Sequence, residues 1–207
     1  MSGKQPLTKR QVRAAATGEQ LLAAARETFE TRGYAHTSIG AITKAANTAH
    51  GTFYLHFKNK EDAFARVMAS VMEEMYLRTT PAEHAAEPAD TVRASVRGYL
   101  EVFIAHRGLW RCLLEGMLQH PSIERMWLEL RVPFADRIVR AMSRAREAGR
   151  AREDVDYERA ALALCSMCEW YAFTNFNLHG PGVIDDLDTV VGTLSDLWYH
   201  AMYVDPA

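Results

Sequence analysis

The chain has 207 residues, of which 48% are hydrophobic and 24% charged, and its formal net charge is −2; these proportions exclude a wholly disordered chain and allow one large or two small domains with a buried core. No run approaches the ~18 apolar residues of a membrane span, and the Met1–Pro6 start lacks the apolar segment of a secretory leader. Three cysteines, an odd number, fit a reducing compartment better than a disulfide framework, so a cytoplasmic location is expected.

In chain order, nearly every segment has helical periodicity and none has the alternation of a strand. Residues 17–32 are rich in Ala and Leu and end at Gly33, a residue suited to close a helix. "TSIGAITKAAN" predicts a short helix capped by Thr37 or Ser38 and ended by Asn47 in the left-handed conformation. A second short helix is predicted from about Thr48 to Leu55. Asn59 then caps a long helix, to Thr79, in which Phe64, Val67, Met68, Val71 and Met75 recur at helical spacing. "TTPAEHAAEPAD" (79–90), with two prolines and little apolar content, is the candidate linker. Helices follow at about 91–106, 108–119, 122–148, 156–178 and 186–203. Pro133 is expected to kink the third of these, and "HGPG" (179–182) to separate the last two. The expectation is an all-α fold of about nine helices. Residues 1–60 form a three-helix head with a helix-turn-helix, and residues 61–207 form a helical bundle, with the 59–79 helix connecting the two.

Charge divides along the same boundary. Residues 1–60 carry nine Lys and Arg against three Asp and Glu, and the remainder carries fifteen against twenty-three. All five lysines lie in the first sixty positions. A basic head on an acidic body points to a polyanion at one end, although clustering on a solvated face gives the same count.

Within "NTAHGTFYLHFKNKEDAF" (47–64), Phe53 and Phe57 are four apart and should dock into the head's core. His50 and Tyr54, also four apart, lie on another face. Gly51 removes a side chain where another molecule's backbone could approach, and Lys44, Lys58 and Lys60 surround the face. Polar and aromatic groups ringed by cations suit base-edge contacts flanked by phosphate contacts. Lys60 stands at the first position of a helix, where the dipole disfavours a cation; it fits there if it shares a phosphate with the free N–H groups, or if it merely balances Glu61 and Asp62.

The stretch "TSIGAITKAANTAHGTFYLHFKNKEDAF", with Gly33-Tyr34 before it, resembles the DNA-binding signature of the TetR family of bacterial transcriptional regulators over roughly residues 17–66. The resemblance implies that Thr37 touches phosphate, that Thr48, His50, Gly51 and Thr52 enter the major groove, and that Tyr54, His56 and Lys60 clamp the backbone. Ser38 and Lys44 complete the expected DNA-binding set. The family often has a serine cap two residues before the glycine; Ala49 stands there instead, and Thr48 is the expected substitute. "MCEWYAFTNF" and "GTLSDLWYHAMY" resemble a branch related to the ethionamide-responsive repressor. The resemblance implies a homodimeric, ligand-responsive repressor of operator DNA, released by a small apolar or amphipathic effector. A helical small-molecule carrier whose head binds protein is the reading from another class.

In the body, Tyr99, Phe103, Trp110, Met117, Trp127, Phe134, Met167, Trp170 and Tyr171 are large residues that either fill the core or line a pocket, and Asn175 and Glu169 are polar groups in an apolar helix that need partners if buried. The nine large residues and Asn175 are the ligand candidates. The last two helices, about 156–178 and 186–203, are apolar enough to pack either within the chain or against a second copy, and the dimer is the expectation. His50 and His56 are six apart, far from one helix face, and no cysteine or carboxylate completes a metal set. Cys165 and Cys168 form C-x-x-C inside an apolar helix and read as buried thiols. Neither a metal nor a cofactor is expected, and no catalytic motif argues for an enzyme.

Overall fold

The computed structural model describes residues 8–80, 87–178 and 186–204. Among them the α-helices are α1 (Lys9–Arg32), α2 (Ile39–Ala45), α3 (His50–Phe53), α4 (Lys60–Arg78), α5 (Pro88–Ala105), α6 (Arg107–Gln119), α7 (Pro121–Glu147), α8 (Tyr157–Ala172) and α9 (Leu187–Met202). The only β pairing among the described residues is an isolated bridge between Ala151 and Tyr203. Their helices include none long and apolar enough to cross a membrane.

Helix α1 begins about two turns before the expected Thr17. Thr8 and Gln11 form a reciprocal capping box, in which the Gln11 N–H donates to Thr8 Oγ1 at 3.3 Å and the Thr8 N–H donates to Gln11 Oε1 at 2.8 Å. Leu21, Ala25 and Phe29, four apart, form its buried stripe, and Gly33 closes it at φ 77°. Asn47 takes the left-handed conformation expected of it, at φ 49°.

The head's core is aromatic. Phe29, Tyr34 and Phe64 are fully buried, with Phe64 edge-on to Phe29 at 4.9 Å and to Tyr34 at 5.3 Å. Helix α4 contributes Phe64 to this cluster and then continues away from it, burying Val67, Met68, Val71, Met72 and Met75. It packs in turn on α1, α5 and α7. Helix α5 lies against α9, and α7 against α8. A smaller cluster around Met142, Tyr157, Leu164 and Met202 joins the ends of α7, α8 and α9.

Two expectations change. Helix α5 starts at Pro88, inside the expected linker; the middle of that stretch, 81–86, and the "HGPG" break at 179–182 lie outside the described residues. Helix α7 runs through Pro133 over nearly the expected 122–148, with the ring removing the partner of the carbonyl four residues back. The helix expected over 156–178 changes at Phe173 into a π-helical segment, Phe173–Leu178. There Thr174 Oγ1 donates to the carbonyls of Trp170 and Tyr171, and Asn175 Nδ2 also donates to that of Tyr171. Side chains that occupy these acceptors compete with the i→i−4 backbone bonds and favour the wider turn.

The approach of α5 to the end of α4 depends on a glycine. A Cβ on Gly98 would sit 2.4 Å from the carbonyl oxygen of Arg78, and backbone cannot swing aside. Gly98→Ala should therefore destabilise the fold by about 1–3 kcal/mol, lowering the thermal midpoint by roughly 2–10 °C for a chain of this size, as followed by circular dichroism.

Candidate nucleic-acid interface and effector cavity

The head presents α3 outward from a rigid mount. Phe53 and Phe57 are buried and 5.1 Å apart, anchoring the inner side as their spacing predicts. Gln20 Nε2 donates to the Ala46 carbonyl at 2.9 Å, fixing the end of α2 to α1. The Thr48 N–H donates to the Thr43 carbonyl at 2.9 Å, setting the turn between α2 and α3. On the outer side Lys44, His50, Gly51, Tyr54 and Lys58 are exposed, and Thr52 is half-buried. The rings of His50 and Tyr54 meet edge to face at 5.8 Å, and Tyr54 is 54% accessible. A Cβ on Gly51 would meet no atom of the chain, so this point of the surface is open.

Several expected contacts have other partners. Thr37 is buried, and its hydroxyl donates to the carbonyls of Gly33 at 2.7 Å and Thr28 at 3.2 Å; it closes the α1–α2 turn and is not presented to a phosphate. Ser38 caps α2 instead, Oγ accepting from the Ala41 N–H at 3.2 Å. Helix α3 is one turn long, shorter than the expected 48–55, and its N-cap is Ala49, which has no side-chain acceptor. Thr48 does not substitute for it, since its hydroxyl is buried without a partner among the described residues. The half-buried His56 ring lies 2.9 Å from where a Cβ on Gly18 would stand, so it packs on α1. Lys60 stands at the first position of α4 as expected, yet Nζ turns back. It donates to the Tyr34 carbonyl at 3.1 Å and lies 4.2 Å from the centre of that ring. Asn59 caps the same helix, accepting from the Asp62 N–H at 2.8 Å.

The turn at Tyr34 is also held from the body. Glu115 of α6 accepts from the Tyr34 N–H at 2.9 Å, and the Tyr34 hydroxyl donates to Glu61 at 3.4 Å. Burial first, and then the Glu61 carboxylate, raise the pKa of that phenol above its ordinary value. Nothing in the local sequence announces Glu115, which is eighty-one positions away.

Within the body a cavity of about 480 Å³ opens among α4, α5, α7, α8 and α9, a size suited to a small organic molecule. Its wall includes Met72, Met75, Val92, Val96, Trp127 and Phe134, and Trp127 packs edge-on to Trp110 at 5.6 Å. Of the ten candidates, Tyr99, Trp127 and Phe134 line it. Phe103 and Trp110 stack on each other at 5.0 Å in the core. Met117, Met167 and Tyr171 pack on the core without reaching the cavity, the Asn175 amide is bonded within its own helix, and Trp170 is 62% accessible on the outside. Among the described residues Trp170 stacks on its neighbour Phe173.

The polar lining went unidentified in the sequence as a set. Arg131 donates from Nε to Glu169 and from Nη2 to Ser166, each at 2.9 Å. Burial pushes the Glu169 carboxyl up and Arg131 opposes the shift. The Tyr99 hydroxyl is buried without a hydrogen-bond partner among the described residues, and desolvation keeps it neutral. Arg137 donates to the Tyr76 carbonyl at 2.8 Å, to Thr80 Oγ1 at 2.7 Å and to Thr79 Oγ1. Among the described residues no group of three or more metal-ligating side chains comes together.

The chain matches two family profiles, "Bacterial regulatory proteins, tetR family" over residues 21–67 and "Transcriptional regulator EthR, C-terminal domain" over residues 92–204. It is 27% identical over 190 residues to the HTH-type transcriptional regulator EthR of Mycolicibacterium smegmatis, covering 88% of this chain and 84% of that one. Its fold is similar to that of SmeT, the repressor of the Stenotrophomonas maltophilia multidrug efflux pump SmeDEF (TM-score 0.71, 26% identity, 93% of each chain). A TetR-family regulator structure from Mesorhizobium loti is also similar, with TM-score 0.72 at 19% identity, covering 93% of this chain and 99% of that one.

Of the C-x-x-C pair Cys168 is buried as expected and Cys165 is half-buried, and Cys112 is buried on α6. Burial pushes Cys165 up to about 11 and Cys112 and Cys168 up to about 12. The folded protein should react with iodoacetamide at pH 8 at least about a hundredfold more slowly than free cysteine, with all three thiols released by denaturant. Since the folded values lie above the unfolded value near ~8.5, the associated stability is complete below that pH and is lost as pH rises through 11 and 12.

Proposed function

Because the chain belongs to the tetR family of bacterial regulatory proteins and carries the C-terminal domain of the transcriptional regulator EthR, we propose that it is a homodimeric repressor whose head binds operator DNA and whose cavity binds a small amphipathic effector. The observation that carries the reading is the outward face of the α3 region, where Lys44, His50, Gly51, Tyr54 and Lys58 are exposed while Phe53 and Phe57 hold the backbone from behind. Thr52 lies at the edge of that face and belongs to the proposed groove contact, and Thr48, whose hydroxyl is buried, would enter it with its methyl group alone. Lys44 and Lys58 take the phosphate role; Lys60 and His56 support the head, and Ser38 presents the start of α2 to the backbone.

A second copy supplies a partner for the body. Leu162, Trp170, Leu178 and Leu197 are large apolar side chains left exposed on α8, the π-helical segment and α9. Their clustering on the two C-terminal helices supports a helix-to-helix dimer with the two heads on one side. Effector in the cavity acts through α4, whose first residue stands in the head and whose Met72 and Met75 line the cavity. The shift it produces is bounded by its difference in affinity between the DNA-competent and released arrangements.

Binding to the DNA upstream of the gene should weaken steeply with salt. Lys44→Ala should lower the slope of log K against log salt by about 0.9 for each subunit contact. Tyr54→Ala should weaken binding without changing mass in sedimentation, and salt-insensitive binding would sink the reading. For the dimer, Trp170→Glu combined with Leu197→Glu should yield a folded monomer at micromolar concentration, measured by sedimentation equilibrium; an unchanged dimer would place the interface elsewhere.

A further inference from the structure

Resting on the reading of the cavity as an effector site, we propose that the effector is an amphipathic acid, an apolar body bearing one carboxylate, and that Arg137 is the receptor of that carboxylate. The charges of the wall are unequal. Arg131, Arg137 and Arg144 line the cavity, and Glu169 is the single carboxylate among its lining residues. Arg131 is committed to Glu169 by an ion pair at 2.9 Å. Arg144 is exposed to solvent, which screens it. Arg137 is half-buried and has no ion pair among the described residues. The cysteines and Tyr99 supply no negative charge, because burial holds all of them protonated.

The hydrogen bonds of Arg137 define what it lacks. A guanidinium has five N–H donors. Nη1 uses two, on the Tyr76 carbonyl and Thr80 Oγ1, and Nη2 uses one, on Thr79 Oγ1. The Tyr76 side chain is a further hydrogen-bonding neighbour, and among the described residues no carboxylate takes any N–H of the group. A carboxylate is the acceptor that takes two N–H groups of a guanidinium in parallel. The ring of Tyr76, 4.3 Å from the guanidinium carbon, and that of Phe134 at 5.6 Å fix the plane of the group. Its acceptors among the described residues are neutral groups, and burial draws the Arg137 pKa below its ordinary value while the Tyr76 side chain opposes the shift. An anion would relieve what these dipoles leave uncompensated.

The rest of the wall describes the remainder of the ligand. Met72, Met75, Val96, Trp127 and Ile138 offer apolar contact, and the methionines adapt to shape. The unpartnered Tyr99 hydroxyl, close enough to Glu169 and Arg131 to feel their charges, offers one hydrogen bond to a polar group on the body of the ligand. A neutral hydrocarbon would leave Arg137 and Tyr99 as they stand. A cation would meet three arginines.

The test is calorimetric titration of the full-length protein, without DNA, with straight-chain acids of about eight to sixteen carbons and their matched primary amides. The expected result is that an acid binds saturably and at least about tenfold tighter than its amide. Arg137→Gln should bring the two within about threefold, Arg137→Lys should keep an intermediate preference, and Arg144→Gln should keep the full preference. Folding of each variant is checked by circular dichroism because Arg137 also holds the end of α4; the acid–amide comparison in the unaltered protein does not depend on any variant. Equal affinity of acid and amide, no saturable binding of any acid, or a preference lost with Arg144 and kept without Arg137 would overturn the assignment. Since no DNA is present, these outcomes bear on the ligand alone, and the salt titration of operator binding bears separately on the regulatory reading.

Discussion

The packing around Tyr34 is the constraint on which the molecule's organisation depends. Its ring stacks on Phe29 at 5.8 Å and meets Phe64 and His120 edge-on. Its backbone donates to Glu115 and accepts from Lys60, and its hydroxyl reaches Glu61. One residue in a turn thus ties α1 to α4, α6 and the start of α7. Each bond alone is worth about 1 kcal/mol; their joint effect is geometric, because the turn that leads into α2 has no freedom to rotate. The outward face of α3 inherits its orientation from this turn.

Helix α4 extends the same constraint into the body. Its buried residues change partner along the axis, from the aromatic head cluster at Phe64 to the cavity wall at Met72 and Met75. At its far end Gly98 brings the α5 backbone against Arg78, while Arg137 grips the Tyr76 carbonyl and two threonine hydroxyls. A helix fixed at both ends behaves as a strut, so a ligand that changes the grip at one end has a mechanical route to the other.

Much of the head was legible because its signals are local. Asn47, Asn59, Gly33 and the Phe53–Phe57 spacing each specify conformation within a few residues, and each is found as read. The start of α1 is equally local, in the capping pair of Thr8 and Gln11. The side-chain directions of Thr37, His56 and Lys60 were not legible, since each is decided by a partner on another helix. The cavity was the least legible. Aromatic content in α5, α6 and α8 marks burial, but whether Phe103 or Phe134 faces empty space depends on how several helices cross. Arg131 and Arg137 look like surface residues, and Glu169 like a polar group without a named partner, until α7, α8 and the end of α4 are placed together.

The bond from Glu115 to the Tyr34 N–H also bears on how such proteins diversify. The sequence divides naturally near residue 60, but the head's turn takes an acceptor from α6, fifty-five positions later. Gene fusion at that boundary would deliver a head to a new body without the carboxylate that satisfies its backbone. A head joined to a body without an acceptor at that place would leave the Tyr34 N–H unpaired, at a cost of about 1–3 kcal/mol.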